Sequence, residues 1–368
     1  MYVREIQPPR ATPIDKGKQV QGTWTEAFDE VNLLDIRKPY RFPIPRGLRD
    51  SRIKEWESFL IQDDKYLLFA VLANIKVCRY ASIILYDKEN KEKLWFKKLI
   101  PGTGWHLPRS LKNASVDSRS WGFFFRIHSW LDAHTIKLDL DIEPTRKRPS
   151  FTAHAEFNLA EEPGQPMVQP QAVQPEAAQS IAVQPLTVSL MYAENRGMYT
   201  YKTMAPVRGD MVFGGRHISL NPARTSGLFC DFKGFFPYGG NSQWCGALFL
   251  DAAGRRIGFT VSENPARESY ANNENCLWID GVLTPLPPVK ITRNAEDEPE
   301  WIIQDMEGMV DLVFTPVVQI RYKLNILLSQ SFYDSPPGLF NGMIVSSKGE
   351  EIHLKNVYGL GEKLHLQV

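Results

Sequence analysis

Across residues 134–142 apolar and polar side chains alternate without a break. Ile136, Leu138, Leu140 and Ile142 fall on one side; Thr135, Lys137, Asp139 and Asp141 fall on the other. A period of two sustained this long puts a helix out of phase with itself and specifies an antiparallel strand with one wet face. Residues 151–159 repeat the pattern with Phe151, Ala153, Ala155, Phe157 and Leu159 inward, and stretches 255–261 and 310–314 follow it. Turn residues separate these runs at hairpin spacing, at 87–90, 251–254, 305–308 and 346–349. The sharpest is Asp280-Gly281, which predicts a two-residue turn. Helical signal is scarce: 49–59 reads as one short amphipathic helix with Ile53, Trp56 and Phe59 or Leu60 on a face. Nothing resembles repeated βαβ units. The expected class is all-β, with sheets that roll up as sandwiches or barrels and few short helices. The second half alone offers about eight to ten strands, near the count that encloses one small ligand.

At 368 residues the chain is long for one core and predicts two domains. One segment, 161–185, is rich in Pro, Gln and Ala and reads as a linker. The expected division is therefore 1–160 and 186–368. A net charge of +1 provides no global field for nucleic acid, so none is expected as a partner. The basic run Arg146-Lys147-Arg148 reads as a solvated turn. Cys78, Cys230, Cys245 and Cys276 form no C-x-x-C pair, and His106, His128, His154, His217 and His353 occur singly, so neither a metal nor a disulfide is expected. No phosphate loop, H-E-x-x-H, G-x-S-x-G or dinucleotide fingerprint is present, and no cofactor is expected. The first residues lack an apolar signal core and no run reaches transmembrane length, which points to a cytoplasmic protein. Peripheral membrane contact and the oligomeric state stay open.

Chemistry concentrates between residues 227 and 281. Phe235, Phe236, Tyr238 and Trp244 are interleaved with polar groups; Glu263 and Asn264 end a strand, and Asn273 and Glu274 precede another. Aromatic rings fill β cores everywhere, so part of this is packing. Asp231, however, sits in an otherwise apolar strand, where a carboxyl needs a partner or a raised pKa. It reads either as an acid kept protonated by its surroundings or as a structural carboxylate paired with Lys233 or an arginine.

The run Cys230-Asp-Phe-Lys-Gly-Phe-Phe-Pro-Tyr238, then Gln243-Trp244, Arg256-Ile-Gly258 and Asn273-Glu274-Asn275-Cys-Leu-Trp-Ile-Asp-Gly281, resembles the domain of unknown function 2804 family. Asp311-Leu-Val-Phe-Thr-Pro316, Phe340-Asn-Gly342 and Gly359-Leu-Gly-Glu362 extend the likeness to the end of the chain. That family is distantly similar to tandem lipocalin-like proteins, among them carotenoid 1,2-hydratases, tocopherol cyclase and fungal lipocalin-like cyclases. The resemblance implies two lipocalin-like antiparallel β barrels in tandem and an apolar small-molecule partner. It carries over no catalytic residue.

Three functions follow from these readings. In the first, an enzyme hydrates, isomerises or cyclises a C=C of an isoprenoid- or lipid-like substrate by acid catalysis. Asp231 is then the expected acid and Glu274 the second choice; Phe235, Phe236, Tyr238, Trp244, Asn273, Glu263 and Asn264 contact the ligand. In the second, the same cavity belongs to a carrier of lipids or isoprenoids without chemistry. In the third, a scaffold binds a protein through sheet edges.

Overall fold

The structure is a computed structural model that describes residues 2–40, 42–102, 104–160, 183–293, 300–326 and 329–367. It is all-β, with two large antiparallel sheets rolled up in tandem. The alternating stretches are the strands Thr135–Ile142, Phe151–Asn158, Arg256–Glu263 and Val310–Pro316, and Ile136, Leu138 and Leu140 lie in a core. At the tightest hairpin Asp280 and Gly281 have φ of 47° and 79°, and Ile279 pairs directly with Val282. Two successive positive φ values match the right-handed twist of the flanking strands, which is why Asp-Gly serves there.

The first sheet runs in the order Glu92–Pro101, Cys78–Asp87, Tyr66–Asn74, Ile53–Gln62, Ser226–Phe235, Arg196–Phe213, Phe151–Asn158, Thr135–Ile142, Phe123–Trp130, Ala114–Ser120. Leu186–Ala193 and Arg216–Leu220 pair with the long strand Arg196–Phe213. That strand changes partner near Pro206, and Gly209 lets it press against its neighbour. A Cβ there would sit 1.9 Å from the His154 carbonyl oxygen. The second sheet is built from strands between Gly240 and Gln367.

Two sequence expectations change here. A helix does not form over 49–59: the helix Arg46–Asp50 is followed by the strand Ile53–Gln62. Ile53, Trp56 and Phe59 fit a helical face, but the stretch also alternates. Glu55, Glu57, Phe59 and Ile61 share one side; Trp56, Ser58 and Leu60 share the other, and pairing partners on both edges decide for strand. The expectation of one wet face fails at the centre of the first sheet, where Ser226–Phe235 is buried along its whole length. The sheet is sandwiched. One face closes over a core that includes Phe59, Phe157, Tyr201 and Phe229; the other packs on the second sheet through Leu60, Met204, Leu228, Leu248 and Leu360. A third core, with Val261, Leu312 and Phe340, fills the far side of the second sheet.

The change from one sheet to the other falls between Phe235 and Gly240, at the turn Pro237-Tyr238-Gly239. Residues 186–235 thus pair with strands from the first half of the chain, whereas the foreign composition lies at 161–185. Of that segment, 161–182 lies outside the described residues. The four cysteines are buried and unpaired. Among the described residues no helix is long and apolar enough to cross a membrane.

Candidate active site between the sheets

The faces of the two sheets that meet each other do not fill the space between them. They leave a cavity of about 150 Å³, a volume that in an apolar protein core holds one benzene-sized ring. The pleat decides its lining. Even-numbered residues of Ile53–Gln62, Arg196–Phe213 and Ser226–Phe235 point toward it, among them Trp56, Lys202 and Phe232, while Trp244 and Glu362 point in from the second sheet. Trp56 and Phe232 are direct cross-strand partners, and their rings stack with centroids 3.7 Å apart. Phe236 meets that pair edge-on, and Tyr192 meets Phe236. At another part of the wall Tyr80 stacks on Tyr322 at 5.4 Å and touches Tyr333.

Two carboxyls line this aromatic enclosure in opposite electrostatic settings. Lys202 crosses from the first sheet to the second. Its Nζ lies 3.0 Å from Glu274 Oε2 and donates to the Glu274 backbone carbonyl at 3.1 Å and to Thr260 Oγ1 at 3.3 Å. Glu274 Oε1 accepts from Ser262 Oγ at 2.9 Å and from Asn264 Nδ2 at 2.8 Å. Burial alone would raise the Glu274 pKa, but the Lys202 charge and these donors outweigh it and hold the carboxyl below its ordinary value. Glu274 is therefore a fixed anion. Glu362 is different. Burial pushes its carboxyl up to about 7, against a hydrogen bond from the Tyr333 hydroxyl and the more distant Lys202 charge. A group poised there exchanges a proton near neutral pH, the condition for general acid–base work.

The residues expected from sequence scatter. Glu274, Trp244 and Phe236 line the cavity, and Asn264 supports Glu274. Asp231 is fully buried but faces the opposite side of its strand, into the core of the first rolled sheet. It pairs there with Lys233, the structural alternative that the sequence left open. Phe235 packs in that same core, and Tyr238 is 63% exposed at the turn between sheets. Asn273 clamps the start of the chain: it bonds Arg4, and its Nδ2 donates to Tyr2 Oη at 3.0 Å. Glu263 accepts from Lys290 and from the Ile291 backbone N–H at the protein surface. Among the described residues no cluster of His, Cys, Asp and Glu is arranged to hold a metal ion.

Against known families, the model described as Domain of unknown function (DUF2804) matches residues 4–367. The chain belongs to that family. No curated protein matches this DUF2804 chain in sequence. Among solved structures, CghA aligns with a TM-score of 0.50 at 12% identity, covering 99% of this chain and 98% of its own. Kievitone hydratase from Nectria haematococca aligns with a TM-score of 0.47 at 13% identity, covering 85% of this chain and 88% of its own. At such identities the likeness to CghA is one of fold.

Sequence reasoning passed over the DUF2804 chain's Lys202, Glu362, Tyr333, Trp56 and Phe232. Two of them left a signal. Lys202 is the lone charge in the apolar and aromatic run 198–207, where a cation buried on both faces demands an anion. Glu362 closes the Gly359-Leu-Gly-Glu362 run, already a point of family resemblance.

Proposed function

We propose that this protein is an enzyme that hydrates, isomerises or cyclises a C=C of an apolar small molecule, isoprenoid- or lipid-like, with Glu362 as the proton donor. One observation carries the reading: a carboxyl poised near neutrality borders an aromatic void that also holds a fully neutralised ion pair. Protonated Glu362 gives its proton to one alkene carbon. A C–H bond forms from the π electrons, and the neighbouring carbon becomes cationic. The ring faces of Trp56, Phe232, Phe236 and Trp244 stabilise that charge through their quadrupoles. Water adding to the cation releases a proton that the Glu362 carboxylate takes back, which completes a hydration. Loss of a neighbouring C–H proton to the same carboxylate completes an isomerisation. Attack by an internal hydroxyl closes a ring and releases its O–H proton to that carboxylate; attack by an internal alkene closes a ring and moves the cation, which is quenched when the carboxylate takes an adjacent C–H proton.

The Lys202–Glu274 pair does not exchange protons in this scheme. It anchors one wall of the cavity and ties the sheets together. Tyr333 fixes the orientation of the Glu362 carboxyl.

Organic extraction of purified protein followed by mass spectrometry identifies any apolar molecule that co-purifies. That molecule and a panel of prenylated and polyene compounds are then incubated with enzyme in heavy water. Turnover places a carbon-bound deuterium in the product, and Glu362→Gln removes that signal. An extracted ligand returned without deuterium by the wild type, with no turnover across the panel, would leave a carrier and refute the enzyme.

A further inference from the structure

One end of the first rolled sheet gathers three hairpin tips. Trp121-Gly122 joins Ala114–Ser120 to Phe123–Trp130, 143–150 joins Thr135–Ile142 to Phe151–Asn158, and Gly214-Gly215 joins Arg196–Phe213 to Arg216–Leu220. They are bound side by side. The Glu143 N–H donates to the Gly122 carbonyl at 3.1 Å, and the Gly214 N–H donates to the Ser150 carbonyl at 3.5 Å. Two things crowd this end. Trp121 is 91% exposed at a turn, where an indole ring has nothing to pack against. On the neighbouring 143–150 tip stand the exposed Arg146, Lys147 and Arg148, with exposed Lys97 close enough to feel the Arg148 charge. Lys98 Nζ donates to the Trp121 carbonyl at 3.2 Å, and Arg216 on the third tip is paired with Asp87 at 4.0 Å. The 143–150 loop carries only Glu143 as an acid against three basic residues. In a chain whose net charge is +1, this is a local concentration of positive charge.

We infer that this end docks on an anionic lipid bilayer. Trp is the residue whose amphipathic ring settles at the headgroup level, and clustered Lys and Arg side chains are drawn to acidic headgroups. A single ring projecting from a tip, with prolines at 144 and 149 stiffening the basic loop, suits shallow insertion better than it suits a row of stacked bases. The patch also reaches the cavity. Arg148 Nη1 donates to the Trp95 carbonyl at 2.8 Å, and Lys97 Nζ lies 4.4 Å from the Trp95 ring and 4.3 Å from that of Tyr322, which lines the enclosure. A protein docked through this end holds a wall of its apolar cavity close to the phase in which apolar molecules dissolve. The inference does not depend on the chemistry proposed for Glu362.

Co-sedimentation of the full chain with phosphatidylcholine vesicles, with and without phosphatidylserine, tests it. Partition should rise about tenfold or more with phosphatidylserine at low salt and fall away as salt is raised. Arg146→Glu with Lys147→Glu should abolish the rise, and Trp121→Ser should weaken what remains. Both variants lie on exposed turns and should melt like the wild type. Equal partition onto the two vesicle types overturns the inference, as does undiminished binding by the charge-reversed protein. Binding to a single-stranded oligonucleotide with none to vesicles overturns it in favour of nucleic acid.

Discussion

Two carboxyls, a lysine and a tyrosine occur together twice in this protein, on opposite faces of one sheet. Between that sheet and the second lie Glu274, Glu362, Lys202 and Tyr333, beside a void. Facing the core of the first rolled sheet are Asp231, Glu57, Lys233 and Tyr199, with Glu57 directly across the ladder from Asp231. There, burial raises both carboxyls against the Lys233 charge; the Asp231 charge pushes Glu57 further, to about 8, and Glu55 adds to the rise of Asp231, while both Glu57 oxygens lack a hydrogen-bond partner among the described residues. By pKa displacement the inner cluster is the more perturbed of the two. Its carboxyls nonetheless lie among Phe59, Tyr201, Phe229 and Phe235 and line neither the large cavity nor the smaller one, of about 30 Å³, that Lys233 borders. A displaced pKa marks a buried charge. Only where such a group borders open volume can a reacting molecule reach it.

The largest separation between the clusters should come from their acids. Once a substrate is in hand, Glu362→Gln should lower turnover roughly 10²–10⁴-fold, whereas Asp231→Asn should leave the turnover of folded protein nearly unchanged. The reverse result would move the site to the inner cluster. Next in size is the loss of a lysine. Lys202→Met leaves Glu274 buried and unpaired and should cost about 3–5 kcal/mol in denaturant unfolding at neutral pH. Lys233→Met should cost less, because Glu57 and Asp231 have raised pKa values and can stay protonated in its absence.

A smaller effect appears in the pH dependence of stability. Glu57 binds its proton more tightly folded than unfolded, with a pKa of about 8 against an ordinary 4.5. Its contribution is complete below 4.5 and is lost as pH rises toward 8, since there the folded state holds a proton that the unfolded state has released. Thermal melts across that window should decline, and Glu57→Gln should flatten the decline. An unchanged slope would mean that Glu57 is ionised in the fold. The smallest shift concerns Tyr333, whose hydroxyl holds the Glu362 pKa down. Activity that needs protonated Glu362 falls above about 7, and Tyr333→Phe should carry that alkaline limb to higher pH. A limb that stays in place would separate the observed acid from Glu362.

Local features of the chain were legible as local structure. Asp280-Gly281 announced its hairpin because both residues tolerate positive φ, and 134–142 announced its strand because side chains alternate across a pleat. The stretch 49–59 reads as helical, although 53–62 is a strand, because alternation with two buried faces has no polar stripe to give its period away. Of the site, Glu274, Trp244, Phe236 and Asn264 were named from composition alone. Asp231 was named for the same reason, and so were residues that serve other ends, such as Asn273 holding Arg4.

The sequence by itself determined the all-β class, the hairpin positions and the inventory of rings and carboxyls, since each depends on neighbours within a few residues. Only the tertiary structure decided that residues 186–235 complete the first sheet, that Lys202 meets Glu274 from 72 residues away, and that Glu362 rather than Asp231 borders the void. A strand's pattern tells which side chains share a face, but what lies opposite that face is set by the packing of distant strands. Whether a buried carboxyl meets a partner or an open cavity is settled there.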